Sequence, residues 1–230
     1  MKTLGILGGM SWESTISYYK LLNEGVRTEL GGFHSCRMVM HSVDFAPFEK
    51  LMAKNDWESI TAGLVEGAKS VEAGGADALI IATNTMHKVA GEVQEAVNIP
   101  LLHMADAIAG GAEKTGASKL GLLGTAFTME QDFLSRPLRE KYGLDVIVPD
   151  SKGRAMVHCS IFDELCCGKI LDNTREGYVK IIEEMAAQGA EAIVLGCTEI
   201  GLLVKPEDVS VPLIDTVQAH VSLALDYILK

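Results

Sequence analysis

The feature that most constrains the fold is an internal repetition. Leu4-Gly5-Ile6-Leu7-Gly8 returns as Leu120-Gly121-Leu122-Leu123-Gly124, 116 residues later. Gly75-Ala76-Asp77-Ala78-Leu79-Ile80 returns as Gly189-Ala190-Glu191-Ala192-Ile193-Val194, 114 residues later. A looser third pair, Ile99-Pro100-Leu101-Leu102 and Val211-Pro212-Leu213-Ile214, is offset by 112 and keeps the same order. Three ordered matches at nearly constant spacing imply two half-chains built on one plan.

That plan alternates short apolar runs with segments of helical period. Leu4 to Leu7 reads as a buried strand, and Ile16, Tyr19, Leu22 and Val26 then recur at the spacing of one helix face. Met38 to Val43 reads as a second strand. Ile60, Leu64, Ala68 and Val71 mark a helix that stops at Gly74-Gly75, the residue type wanted just past a helix end. Strands are also expected at Ala78 to Ala82, Pro100 to Leu102, Leu120 to Leu123, Val146 to Val148, Ile193 to Leu195 and Pro212 to Ile214. Repeated βαβ units impose parallel pairing, so the fold class is α/β, with parallel sheets flanked by helices.

Composition narrows the function classes. In 230 residues, 48% are hydrophobic and 22% charged, enough apolar material for one large core or two small ones. Twenty Lys and Arg against 31 Asp and Glu give a formal charge of -11, which repels phosphate backbones and anionic lipid heads. Nucleic acid and membrane are therefore not expected partners. The apolar stretch after Met1-Lys2-Thr3 is too brief for a signal-peptide core, so a soluble, cytoplasmic protein with reduced thiols is expected. Its five cysteines are Cys36, Cys159, Cys166, Cys167 and Cys197. Cys36 and Cys159 read as core, and Cys166-Cys167 lacks a second pair at zinc spacing.

In open α/β sheets ligands bind beyond the carboxyl ends of the strands. The 114-residue offset makes Thr83 and Cys197 equivalent, each directly after a buried strand. If the halves face each other, these two side chains flank one ligand. Asn84 and Thr85 follow the first, Thr198 and Glu199 the second, offering donors suited to a carboxylate. Gly8-Gly9-Met10-Ser11 opens a helix with Ser11 as N-cap, and Thr128 with Gln131 has a capping-box pattern after Gly124-Thr125. Thr125 and Thr128 are caps, ligand donors or both. His87 and His103, near strand ends, read as structural supports or bases. A cysteine after a buried strand is commonly just a small hydrophobe, and Thr85, like many threonines, can serve only its turn. The dinucleotide, nucleotide-triphosphate and α/β-hydrolase signatures are all missing.

The segments G-G-M-S from Gly8, A-T-N-T from Ala82, L-G-T from Leu123 and G-C-T-E from Gly196 resemble the aspartate/glutamate racemase family, whose members work without pyridoxal phosphate. The stretch Gly8 to Tyr19, with Thr83 to His87 and Gly196 to Leu203, is similar to its broad amino-acid racemase branch. The resemblance implies two pseudo-symmetric α/β domains with the active site in the cleft between them. Residues 1–103 plus 215–230 would form the first and 104–214 the second. It implies a two-base reaction in which one cysteine removes the α-proton and another protonates the opposite face, with no metal or organic cofactor and a homodimeric assembly. Met10, Ser11, Asn84 and Thr85 would contact substrate from the first half, and Thr125, Thr128, Thr198 and Glu199 from the second.

This chain departs from the family pattern where it matters chemically, because the first cysteine position holds Thr83. A free thiol has a pKa of about 8.5, and a donor-lined cleft lowers it, so Cys197 is expected as a thiolate base near neutrality. Threonine is a much poorer base. The expected activity is therefore racemisation of L-aspartate or L-glutamate, the family's substrates, with Cys197 as acid/base and Thr83 at the opposite face. No basic residue for a second carboxylate is evident near Phe45-Ala46-Pro47-Phe48 or Ile161 to Gly168. A one-cysteine decarboxylase of the arylmalonate type and a non-catalytic amino-acid-binding protein are the alternatives.

Overall fold

A computed structural model describes residues 1–230, and its chain divides into two compact units, residues 1–103 with 220–230 and residues 104–219. The first unit is built on β1 (Leu4–Gly8), β2 (Met38–Ser42) and β3 (Ala78–Ile81), in the parallel order β2-β1-β3. β1, the central strand, is buried throughout, and so is β3, whose outer side carries the Leu79–Leu101 bridge. α1 (Trp12–Leu30), α2 (Phe45–Ala53), α3 (Trp57–Ala73) and α4 (Ala90–Glu95) make the connections.

Local chemistry sets the ends of these helices. Ser11 caps α1 by accepting the Ser14 N–H, and Asp56 caps α3 by accepting that of Ser59. α3 ends at Gly74, with Gly75 at φ 88°, and buries all four residues of its expected stripe. α1 does not follow its expected stripe. Leu22 and Val26 are buried with Ser14, Thr15 and Tyr18, whereas Ile16 and Tyr19 are each 54% exposed and join exposed Trp12. The helix turns a face containing two small hydroxyl residues inward because its first turn lies against the glycine turn after β1. Residues 100–102 likewise form no full strand, only a bridge between Leu101 and Leu79.

The second unit holds β4 (Lys119–Leu123), β5 (Asp145–Ile147), β6 (Ala192–Leu195) and β7 (Leu213–Asp215), parallel in the order β5-β4-β6-β7. Its helices are α5 (Met104–Thr115), α6 (Ala126–Glu130), α7 (Ser135–Tyr142), α8 (Ser151–Asp163), α9 (Asp172–Ala187) and α10 (Ile200–Leu203). α11 (Thr216–Ile228) begins here, and from His220 onward it belongs to the first unit, where Leu225 lies against Gly25 of α1. No helix is long and apolar enough to cross a membrane.

The sequence repetition is a repetition of backbone bonds. Asp77 donates to the Thr3 carbonyl and Glu191 to that of Lys119, both at 2.8 Å. Leu79 donates to Pro100 at 2.9 Å, and Ile193 to Pro212 at 2.8 Å. Ala82 donates to Leu7 at 2.9 Å, and Gly196 to Leu123 at 2.6 Å. Each pair joins corresponding residues of the two halves.

The equivalent glycines Gly5 and Gly121 are packed against different neighbours. A Cβ on Gly5 would lie 2.8 Å from the Ala78 carbonyl and 2.3 Å from Val71, whereas one on Gly121 meets the flexible tips of Ile193 and Met185. Gly5→Ala is therefore expected to cost about 1–3 kcal/mol and Gly121→Ala less, measured from urea denaturation midpoints.

Candidate active site

Each unit brings two of the expected loops together at the carboxyl end of its central strand pair. In the first unit, Leu7 pairs with Ile81, so the Gly8–Ser11 turn adjoins the Ala82–Thr85 turn. Gly9 has φ 91°, and a Cβ there would lie 2.3 Å from the Val43 carbonyl, so only glycine fits. The Gly9 N–H donates to Thr15 Oγ1 at 2.8 Å, and that hydroxyl donates to the Ser11 carbonyl at 2.9 Å. Thr15 thus closes the turn. Sequence reasoning missed it, although a hydroxyl residue four positions after an N-cap serine is the available signal. Met10 is buried in the unit's apolar core, so its side chain is committed to packing.

After β3, Thr83 donates its N–H to the Ile81 carbonyl at 2.8 Å, and a 3₁₀ turn, Thr85–Val89, begins. His87 on that turn is 3% exposed. Its Nδ1 lies 2.8 Å from the Thr83 carbonyl and therefore carries the proton, since a carbonyl can only accept. Burial holds His87 well below the ordinary histidine pKa, and His103 and His220 nearby add to the effect.

In the second unit, Leu123 pairs with Leu195, which places Thr125 and Thr128 beside Cys197, Thr198 and Glu199. Thr125, not Thr128, is the N-cap of α6, and Gln131 stands at its other end. The expected capping box is therefore absent, because α6 starts three residues earlier than the pattern implied. The two threonine hydroxyls lie 3.3 Å apart. Thr128 is buried over Gly124 and Gly196, where added side chains would collide with it. The Ala126 N–H donates to His158 Nδ1 at 3.2 Å.

Cys197 itself differs from expectation. Its Sγ–H donates to Glu199 Oε2 at 2.8 Å, and the Thr198 hydroxyl donates to the same oxygen at 2.9 Å. Burial first, then the Glu199 charge and hydrogen bond, push the thiol well above its ordinary pKa. The resting group is a thiol rather than the expected thiolate, and Glu199 is occupied by its own loop. Among the other cysteines, Cys36 is buried as expected. Cys159 is exposed, not core, and so are Cys166 and Cys167.

The model of the Asp/Glu/hydantoin racemase family matches residues 7–224. A candidate Asp/Glu racemase from Yersinia pestis is 47% identical, with a TM-score of 0.96 over 100% of both chains. An aspartate racemase homologue from Pyrococcus horikoshii OT3 is 35% identical, with a TM-score of 0.89, again over 100% of both. The broad specificity amino-acid racemase RacX of Bacillus subtilis (strain 168) is 24% identical over 161 residues, 70% of this chain and 69% of RacX.

Two outcomes follow from these electrostatics. Glu199→Gln removes a negative charge beside the thiol, so the pH midpoint for alkylation of Cys197, followed by mass spectrometry, should fall by about one unit or more. For His87, the unfolded chain binds a proton near pH 6.5 and the folded chain does not, so stability is complete above that range and declines below it. The decline is at most about 1.4 kcal/mol per pH unit. Melting temperatures between pH 7.5 and pH 5 should fall toward acid in the wild type and less steeply in His87→Asn.

Proposed function

The chain belongs to the Asp/Glu/hydantoin racemase family, and within that activity, amino-acid racemisation, we propose that Cys197 transfers the α-proton, that Thr83 serves the opposite face of the α-carbon, and that L-aspartate or L-glutamate is the favoured substrate. The observation that carries this reading is the Cys197 thiol held 2.8 Å from the Glu199 carboxylate at the end of β6. An acid/base thiol needs somewhere to put its proton, and Glu199 is positioned to receive it.

The proton sequence follows from this pair. Glu199 takes the Sγ proton, the thiolate takes the α-proton of the L-substrate, the carbanion is protonated on its other face by a proton that Thr83 relays from water, and Glu199 returns its proton to water to close the cycle. The high resting pKa makes the first transfer uphill. The α-ammonium of a bound amino acid lowers that cost, since a nearby positive charge favours the thiolate. In the reverse direction Cys197 begins as the thiol that the structure contains, ready to donate.

One monoprotic group on one face cannot both remove and return a proton with inversion, so a second group is required, and Thr83 stands at the repeat-equivalent position. Its hydroxyl donates or relays a proton but is a poor base. The two enantiomers have equal free energy in water, so kcat/KM must be equal for both. The asymmetry therefore falls on kcat and KM separately, and on α-proton exchange that occurs without inversion. Asn84, Thr85, Thr125 and Thr128 supply donors for the carboxylate, Thr198 adds its backbone N–H since its hydroxyl is given to Glu199, and the Met10-Ser11 backbone closes the first loop. This reading includes a cytoplasmic homodimer, for which the exposed Trp12, Ile16 and Tyr19 offer an apolar surface.

In deuterated water, L-substrates should exchange the α-proton faster than D-substrates, and Cys197→Ser should abolish exchange while retaining binding. Thr83→Cys should raise D-substrate exchange on the order of tenfold or more. Equal exchange of both enantiomers by the wild type, or exchange surviving Cys197→Ser, would overturn the assignment.

A further inference from the structure

Thr83 and Cys197 are repeat-equivalent, but their turns are fastened differently. The Cys197 carbonyl accepts a backbone N–H from Ile200 at 3.2 Å. The Thr83 carbonyl accepts the imidazole Nδ1–H of His87 at 2.8 Å. The residue at the equivalent position in the second half is Gly201, which has no side chain, so the imidazole clamp belongs to the Thr83 turn alone. With Nδ1 protonated and donating, Nε2 is a bare acceptor, and it is buried with no hydrogen-bond partner. An unsatisfied buried acceptor is destabilising, and packing alone gives no reason to retain one.

The surroundings keep this ring neutral and fixed. His103 packs edge-on at 4.8 Å between centroids, and His220 at 5.7 Å. His220 donates Nε2–H to the Leu102 carbonyl at 2.7 Å, which leaves its Nδ1 to face the Tyr18 hydroxyl at 2.9 Å. α11 and the segment before α5 thus set imidazole rings against His87, Tyr18 of α1 holds His220 from behind, and the His87 ring has one strong bond to make, to Thr83.

We infer that His87 is the positioning residue for the Thr83 face of the reaction, holding the Thr83 peptide so that its hydroxyl meets the α-carbon. This rests on the reading of Thr83 given above. A weakly acidic, weakly basic hydroxyl depends on its placement more than a thiol does, because its intrinsic reactivity leaves no margin for a misplaced approach. The clamp stands on the half that carries the weaker group.

Three variants separate positioning from packing. Asn places an amide nitrogen where histidine has Nδ1, Gln places it one bond farther out, and Leu has no donor. His87→Leu and His87→Gln are expected to lower inversion of either enantiomer about tenfold or more while leaving Cys197-dependent exchange of the L-substrate within about threefold, and His87→Asn is expected to restore inversion. Independently of activity, amide hydrogen exchange of residues 83–87 should accelerate about tenfold or more in His87→Leu and stay near the wild-type rate in His87→Asn.

Equal loss of inversion and exchange in His87→Leu would reduce His87 to a packing residue, and Asn behaving like Leu would have the same meaning. Unchanged amide exchange in His87→Leu would overturn the clamp even if no substrate were turned over. Exchange that survives Cys197→Ser would instead overturn the functional reading and leave the amide-exchange result to decide the clamp.

Discussion

The parallel pairing of a central glycine-containing strand with its neighbour, β1 with β3 and β4 with β6, is the interaction on which the rest depends. The bonds from Ala82 to Leu7 and from Gly196 to Leu123 extend each ladder one step past the strand and deliver two turns side by side. A parallel ladder aligns the carboxyl ends of its strands, so every loop that follows a strand emerges on the same edge. In each unit the glycines after the strand give the backbone conformations that leave this edge open to side chains from the next helix. Thr15 closes one turn and Thr128 covers the other.

On that scaffold the chemistry is set by short polar contacts in low-dielectric surroundings. The G-C-T-E segment folds back so that one carboxylate oxygen gathers both the thiol and the threonine hydroxyl. Burial and a neighbouring negative charge act in the same direction on a thiol, and both oppose ionisation. A cysteine in this setting is an acid in waiting, with its proton acceptor in contact. Activation then depends on what a ligand's charge does to the balance. On the other half, the same strand-end position holds a hydroxyl with no accessible ionisation, and the adjacent structure is a buried, neutral imidazole fixed to the backbone.

Much of this fold was readable before any coordinates. Apart from residues 100–102, the strands begin and end within a residue or two of the apolar runs, since those runs are short and continuous. α3 followed its stripe because Ile60, Leu64, Ala68 and Val71 meet one continuous sheet face. α1 did not, because its amino-terminal turn is packed by Ser14 and Thr15 against the glycine turn, a demand made by neighbours rather than by period. The α6 cap was misplaced for a related reason. A threonine three residues before a glutamine fits the pattern, but the chain had already entered the helix at Ala126.

The sequence by itself determined the α/β plan, its duplication and the equivalence of Thr83 with Cys197, because these follow from periodicity and from residue order, which are one-dimensional properties. Only the tertiary structure decided that Cys197 rests as a thiol on Glu199 and that Met10 is core. It alone decided that His87, His103 and His220 pack together behind Thr83, with His87 and His220 buried. Protonation and burial depend on which atoms surround a group in space. For His87 those atoms come from α11 and the segment before α5, which the sequence keeps far apart.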